Sequence, residues 1–185
     1  MTFRKKILSV VFAVLFFMIL VLCVKGYTDF NFVHKGTEYY DSEQCSFSLT
    51  DLGNYNSVFY QTSKSGDFLF NSTGSMFVAD YDDSEFDKQL AVLDKYKYVD
   101  DVVMFDESKF IIPSPVFDIG NWNFKIIADT DYPNTFDFIS VNKTESKIAY
   151  LTFQDQDLDY LCKSQKSKNY MQKFIKKQFK YDFEN

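Results

Sequence analysis

Carboxylates are the one reactive resource this chain carries in abundance, and two runs gather them. DYDDSEFD places Asp80, Asp82, Asp83, Glu85 and Asp87 close together, and DQDLD sets Asp155, Asp157 and Asp159 at alternate positions. Oxygen-rich clusters suit hard cations such as calcium, and paired acids suit general acid and base work on glycosidic bonds. Alternate aspartates resemble the opening of an EF-hand loop, which needs glycine at its sixth place and glutamate at its twelfth. Counted from Asp155, those places hold Tyr160 and Lys166. A simpler use of both runs is at hand, because the helix dipole favours acids in a first turn without any ligand. Asp80, Asp82, Asp83, Asp155, Asp157 and Asp159 are therefore the candidate metal ligands, calcium is the one cofactor to weigh, and no residue stands out as catalytic.

Other chemistries lack a part. The single histidine, His34, falls in a segment that reads as a stalk, so a Ser-His-Asp or Cys-His arrangement would need its base from the least patterned part of the chain. A single histidine cannot build a multi-His zinc site, and with Cys23 inside the apolar run the two remaining cysteines cannot build a Cys-rich one. The six glycines form neither a Walker A loop nor a GxGxxG turn. Ser140 to Lys143 fits Ser-x-x-Lys, but the companion SDN and KTG motifs of penicillin-binding enzymes are missing. Cys45 and Cys162 are either two separate thiols or one disulfide. The latter would close a loop of over a hundred residues, worth roughly 4–5 kcal/mol by loop entropy. Asn71-Ser72-Thr73 and Asn142-Lys143-Thr144 are glycosylation sequons.

The elements that must position these groups begin with an apolar run. Arg4, Lys5 and Lys6 precede Ile7 to Val24, where Ser9 is the only clearly polar residue. A helix over 7–24 is roughly 27 Å long, close to the hydrocarbon thickness of a bilayer. Basic residues before the run predict a cytoplasmic N-terminus and an outward-facing remainder. An uncleaved anchor fits this length best. Cleavage after Gly26 with secretion of the rest is the alternative, and Leu22 before Cys23 disfavours a lipoprotein signal.

Residues 27–44 carry no periodicity and read as a stalk. From Cys45 onward, β-rich runs alternate with turn residues: 45–49, 57–63, 67–71, 75–82, 116–120, 123–129, 136–142 and 147–155. Pro113 and Pro115 mark a break between the two sets. Between them, Phe86, Leu90, Leu93 and Tyr96 recur at helical spacing, which predicts a helix over 84–97 with Ser84 as N-cap and Asp87 completing a capping box. Residues 156–185 read as a second helix, with Met171, Phe174, Ile175 and Phe179 on one arc and Lys173, Lys176, Lys177 and Lys180 on the other. Two uses fit this helix: its apolar arc docks on the sheet, or its basic arc meets an anionic surface.

The organisation expected is a cytoplasmic tip and anchor over 1–26, a stalk over 27–44 and one α+β domain over 45–185. That domain has a mostly antiparallel sheet of about seven strands, one inserted helix and a C-terminal amphipathic helix. Aromatic residues, 19% of the chain, exclude a disordered polymer, and the net charge of −6 argues against nucleic acid as a partner. That net hides an acidic body, since residues 27–162 hold 9 Lys against 24 acids (net −15) between two basic ends. The function expected is a non-enzymatic, membrane-anchored extracytoplasmic binding module, contacting the membrane through 7–24 and another envelope protein outside. The alternative is a carboxylate-dependent hydrolase or a cation-binding domain using 80–87 and 155–159.

Overall fold

The structure, a computed structural model, describes residues 10–21, 30–66, 71–99, 103–105, 110–112, 115–128, 135–155 and 169–184. It is an α+β fold with a seven-stranded antiparallel sheet and three helices. The strands are β1 (Phe30–Lys35), β2 (Ser57–Gly66), β3 (Asn71–Asp80), β6 (Val116–Ile119), β7 (Trp122–Ile126), β8 (Thr135–Asn142) and β9 (Lys147–Asp155), while β4 (Val103–Phe105) and β5 (Phe110–Ile112) form a separate pair. The helices are α1 over 10–21, α2 (Asp83–Leu93) and α3 (Tyr170–Phe179).

Two meanders meet at the centre. The order is β1-β2-β3-β9-β8-β7-β6, so β1 to β3 and β6 to β9 are each built from neighbours in sequence and join where β3 pairs with β9. Pairing between neighbours in sequence closes shorter loops, the longest of them the 36–56 segment between β1 and β2, and the β3–β9 contact closes the longest. Both central strands are buried along nearly their whole length. A strand covered on both faces reads as a continuous apolar run, as KIAYLTF in β9 does.

The two faces carry different cores. Met76, Phe124, Phe138, Leu151 and Phe153 point to the face covered by α3, which contributes Met171, Phe174, Ile175 and Phe179. Tyr60, Phe77, Ile139, Ile148 and Tyr150 point to the other, covered by Phe86 and Leu93 of α2 and by Cys45, Phe47 and Leu52 of the 40–55 segment. The amphipathic C-terminal helix thus docks its apolar arc on the sheet.

Several local expectations are corrected. Residues 30–35 of the expected stalk form β1, with His34 opposite Thr62 on β2. As an edge strand it is held by backbone pairing and leaves Phe32, His34 and Lys35 exposed, so no apolar alternation announces it. Residues 45–49 are not a strand. Cys45 and Phe47 are buried as the alternation implies, but Ser48 caps a 3-10 turn over Leu49–Leu52 in which the Asp51 carboxylate accepts from the Ser48 N–H at 2.9 Å. The N-cap of α2 is Asp82, not Ser84: Asp82 Oδ1 accepts from the Glu85 N–H at 2.9 Å, and the Ser84 hydroxyl, one residue into the helix, donates back to the same oxygen. That helix ends at Leu93 because Val99 N–H donates to Ile126 O and Ala128 N–H to Lys97 O, drawing Tyr98 into a bridge with Ile127.

The C-terminal helix stops at Phe179, where Lys180 takes a left-handed conformation (φ 46). The chain then runs across the β6–β7 turn, with Phe183 buried against Trp122 and Phe124 at ring separations of 5.4 and 5.1 Å. Gly120 makes this crossing fit: its φ is +56, and a Cβ there would lie 2.6 Å from Phe183 O.

Among the described residues, no helix is long and apolar enough to cross a membrane. Of the apolar run 7–24, the described part is α1, whose side chains are exposed. Residues 67–70, 129–134 and 156–168, which hold parts of an expected strand, a turn and the C-terminal helix, lie outside the described residues.

Candidate functional site

Asp82, Asp83 and Glu85 of the 80–87 run are tied to separate structural partners. Asp80 ends β3 opposite Lys147. Asp82 caps α2, and the Glu85 N–H together with the Ser84 hydroxyl holds its carboxyl below the ordinary range. Asp83 accepts from the Ser146 hydroxyl at 3.1 Å, and Glu85 pairs with Lys88 one turn along α2. Asp155 is buried at the end of β9, opposite Ser72, while Asp157 and Asp159 lie outside the described residues. No three His, Cys, Asp or Glu side chains gather to hold a metal ion among the described residues.

Cys45 is a buried thiol, and loss of solvation pushes its pKa up to about 11, so it stays protonated and unreactive at neutral pH. Its expected partner Cys162 lies outside the described residues. The second sequon is closed: Asn142 is fully buried and its Oδ1 accepts from the Thr144 and Glu145 N–H groups at 3.1 and 3.2 Å.

Beneath the 40–55 segment lies a polar interior. Ser46 N–H donates to Thr152 Oγ1 at 3.0 Å, and that hydroxyl donates to Asp137 Oδ1 at 2.7 Å. Gln89 Nε2 donates both to Tyr150 OH and to Asp51 O at 2.7 Å, and Tyr81 OH donates to Leu52 O at 2.8 Å. Asp137, Thr152 and Gln89 are buried, so these bonds fasten the segment to the sheet and present nothing to a substrate.

Among the described residues, two openings lie on this face. At the β1–β2 edge a hollow of about 300 Å³ holds His34, Tyr39, Asp41 and Lys64. His34 stacks on Tyr39 with ring centroids 4.8 Å apart. Asp41 is engaged by the Glu43 N–H at 2.9 Å and by the Gln44 amide at 2.6 Å, so its carboxylate does not serve the imidazole as the orienting third member of a triad.

The larger opening, about 560 Å³, lies where α2 ends short of β7 and β8. Leu90, Ile139 and Val141 line it with apolar surface, and Lys125 and Lys143 bring two ammonium groups. Lys125 Nζ sits 5.0 Å from the centroid of the Tyr98 ring, and Tyr98 OH donates to Leu93 O at 3.1 Å, which fixes the ring at the end of α2. Asn123 donates to Asp118 Oδ1 at 2.7 Å. Among the described residues, Asp94 is the only carboxylate in the lining.

An apolar floor with a few convergent polar groups is the usual make-up of a small-molecule site. The alternation in WNFKI does place Asn123 and Lys125 on one face of β7, away from Trp122 and Phe124. What the sequence lacks is any sign that α2 is too short to cover that face. No family model matches the chain, and no curated protein or solved structure matches it.

Proposed function

We propose that the protein is a membrane-anchored extracytoplasmic binding module that acts by holding a ligand rather than by turning one over. The observation that carries this reading is the make-up of the larger cleft: lysines, amides and an apolar floor, with Asp94 as the single acid among its described residues. Hydrolysis of a glycosidic bond by carboxylates takes two of them across the scissile bond. Asp82, Glu85 and Asp83 of the 80–87 run instead serve as cap, ion-pair partner and turn acceptor.

Attachment is supported by the apolar run 7–24 behind Arg4, Lys5 and Lys6, with the acidic body on the outer side and another envelope protein as a candidate neighbour. The test is location. With Asp87→Cys as an exposed reporter on α2, the chain should sediment with membranes, resist extraction by high salt or carbonate, and react with an impermeant maleimide in intact cells. Recovery in the soluble fraction, or labelling only after lysis, sinks the proposal.

A further inference from the structure

We propose that the cleft between the end of α2 and strands β7 and β8 binds a small organic anion with an apolar body, its carboxylate or phosphate head held by Lys125 and Lys143. This rests on the binding-module reading and names its ligand class.

The first support is charge. Residues 27–162 carry 9 Lys against 24 acids, so an internal counter-charge is within reach of a lysine in most places on the body. Lys88, Lys95 and Lys147 do so, each beside a carboxylate. Neither Lys125 nor Lys143 pairs with a described carboxylate, although both line one cleft. With Asp94 the described lining has a net charge of +1 on a strongly acidic body. Ammonium groups without a neighbouring carboxylate are where an external anion gains charge-assisted hydrogen bonds.

The second support is how the two lysines are mounted. Lys125 lies over the Tyr98 ring, itself fixed by the bond to Leu93 O and by the bridge to Ile127. Lys143 stands on the β8–β9 turn, whose first residue, buried Asn142, accepts two backbone N–H groups through its side chain. Fixed supports lower the ordering cost of binding.

The third support is shape. Leu90, Ile139 and Val141 offer apolar area below the lysines, and a volume of about 560 Å³ exceeds what an inorganic ion fills. A ligand that is all head would leave that floor wet, whereas an anion with an aromatic or aliphatic body covers it.

The experiment is calorimetric titration of the full chain in phosphatidylcholine nanodiscs with phenyl phosphate, dihexanoyl phosphatidic acid and inorganic phosphate. Phenyl phosphate or the short-chain lipid should bind saturably, and the tighter of the two identifies a soluble or a lipid source. Lys125→Gln/Lys143→Gln should weaken that binding by roughly tenfold or more, Lys173→Gln on α3 should leave it unchanged, and inorganic phosphate should bind at least about tenfold more weakly. Thermal unfolding of each variant confirms that it is folded. No saturable binding up to about 5 mM, undiminished binding by the double variant, or equal binding of inorganic phosphate overturns the proposal. None of these outcomes bears on membrane location, which the maleimide experiment reads separately.

Discussion

The two faces of the sheet are built to different ends. Under α3 the contact is an aromatic and aliphatic layer with a small buried polar patch at one edge, where the Ser63 hydroxyl donates to Gln178 O: Phe174 meets Phe153 edge-on at 4.7 Å, and the chain continues past the helix to bury Phe183 on Trp122. Under α2 the layer is laced with polar groups and incomplete, because α2 is only 11 residues long and ends before β7 and β8. The comparison teaches that stability and access are divided between the faces. Substitutions under α3 should cost stability alone, whereas surface substitutions around the cleft should change binding alone.

The steepest break in that division comes from Phe179→Ala. Phe179 is fully buried at the end of α3, with its ring near the Cα of Gly74. Truncation removes the ring and leaves a cavity, so denaturant unfolding should show a loss of about 3–5 kcal/mol. Next is Thr152→Val, which keeps the volume but leaves the Ser46 N–H without its acceptor and takes one donor from buried Asp137. The same assay should show a loss of about 1–3 kcal/mol.

Asp51→Ala tests the fastening of the 40–55 segment at a more exposed point, with an expected loss of about 1 kcal/mol at neutral pH. Burial alone would raise the Asp51 pKa, but the Ser48 N–H and hydroxyl and the Lys95 ammonium bring it below its ordinary value. A carboxyl depressed in the folded state stabilises above its unfolded pKa of about 3.9, and that contribution fades as pH falls through the lower folded value. The difference between Asp51→Ala and the native chain should therefore shrink as unfolding is followed from pH 5 down to about pH 2. At the small end, Lys125→Gln/Lys143→Gln should shift stability by no more than about 0.5 kcal/mol, because both side chains are exposed. A larger loss would make the pair structural and blur the division of the faces.

Where side-chain burial decides an element, the sequence shows it. β6 to β9 fall on the runs expected from alternation, and α3 buries the arc formed by Met171, Phe174, Ile175 and Phe179, whereas β2 continues to Gly66 beyond its expected run and β3 passes unbroken through Ser72 to Gly74, between two runs expected as separate strands. Where backbone hydrogen bonds decide, the pattern is silent or misleading. β1 is an edge strand without an apolar stripe, and the alternation of Cys45 and Phe47 is real but interrupted by the Ser48–Asp51 cap. The N-cap of α2 shows how close two candidates can be, since Asp82 and Ser84 share one hydrogen-bonded turn.

The site was the least legible part. The acidic runs drew attention because they are dense, yet density along the chain does not make side chains converge: Asp82 caps a helix and Asp83 reaches across to Ser146. Lys125 and Lys143 are ordinary residues 18 positions apart, brought to one cleft by the β7–β8 pairing and by the early end of α2.

The sharpest check on the division of the faces is a backbone amide NMR titration of the full chain with phenyl phosphate. Shift changes should gather at the end of α2, at Tyr98 and Lys125, and at Val141 to Thr144, with the amides of α3 and its tail unmoved. Changes centred on α3, or none at all when phenyl phosphate is in millimolar excess, would show that the open face is not where this protein binds.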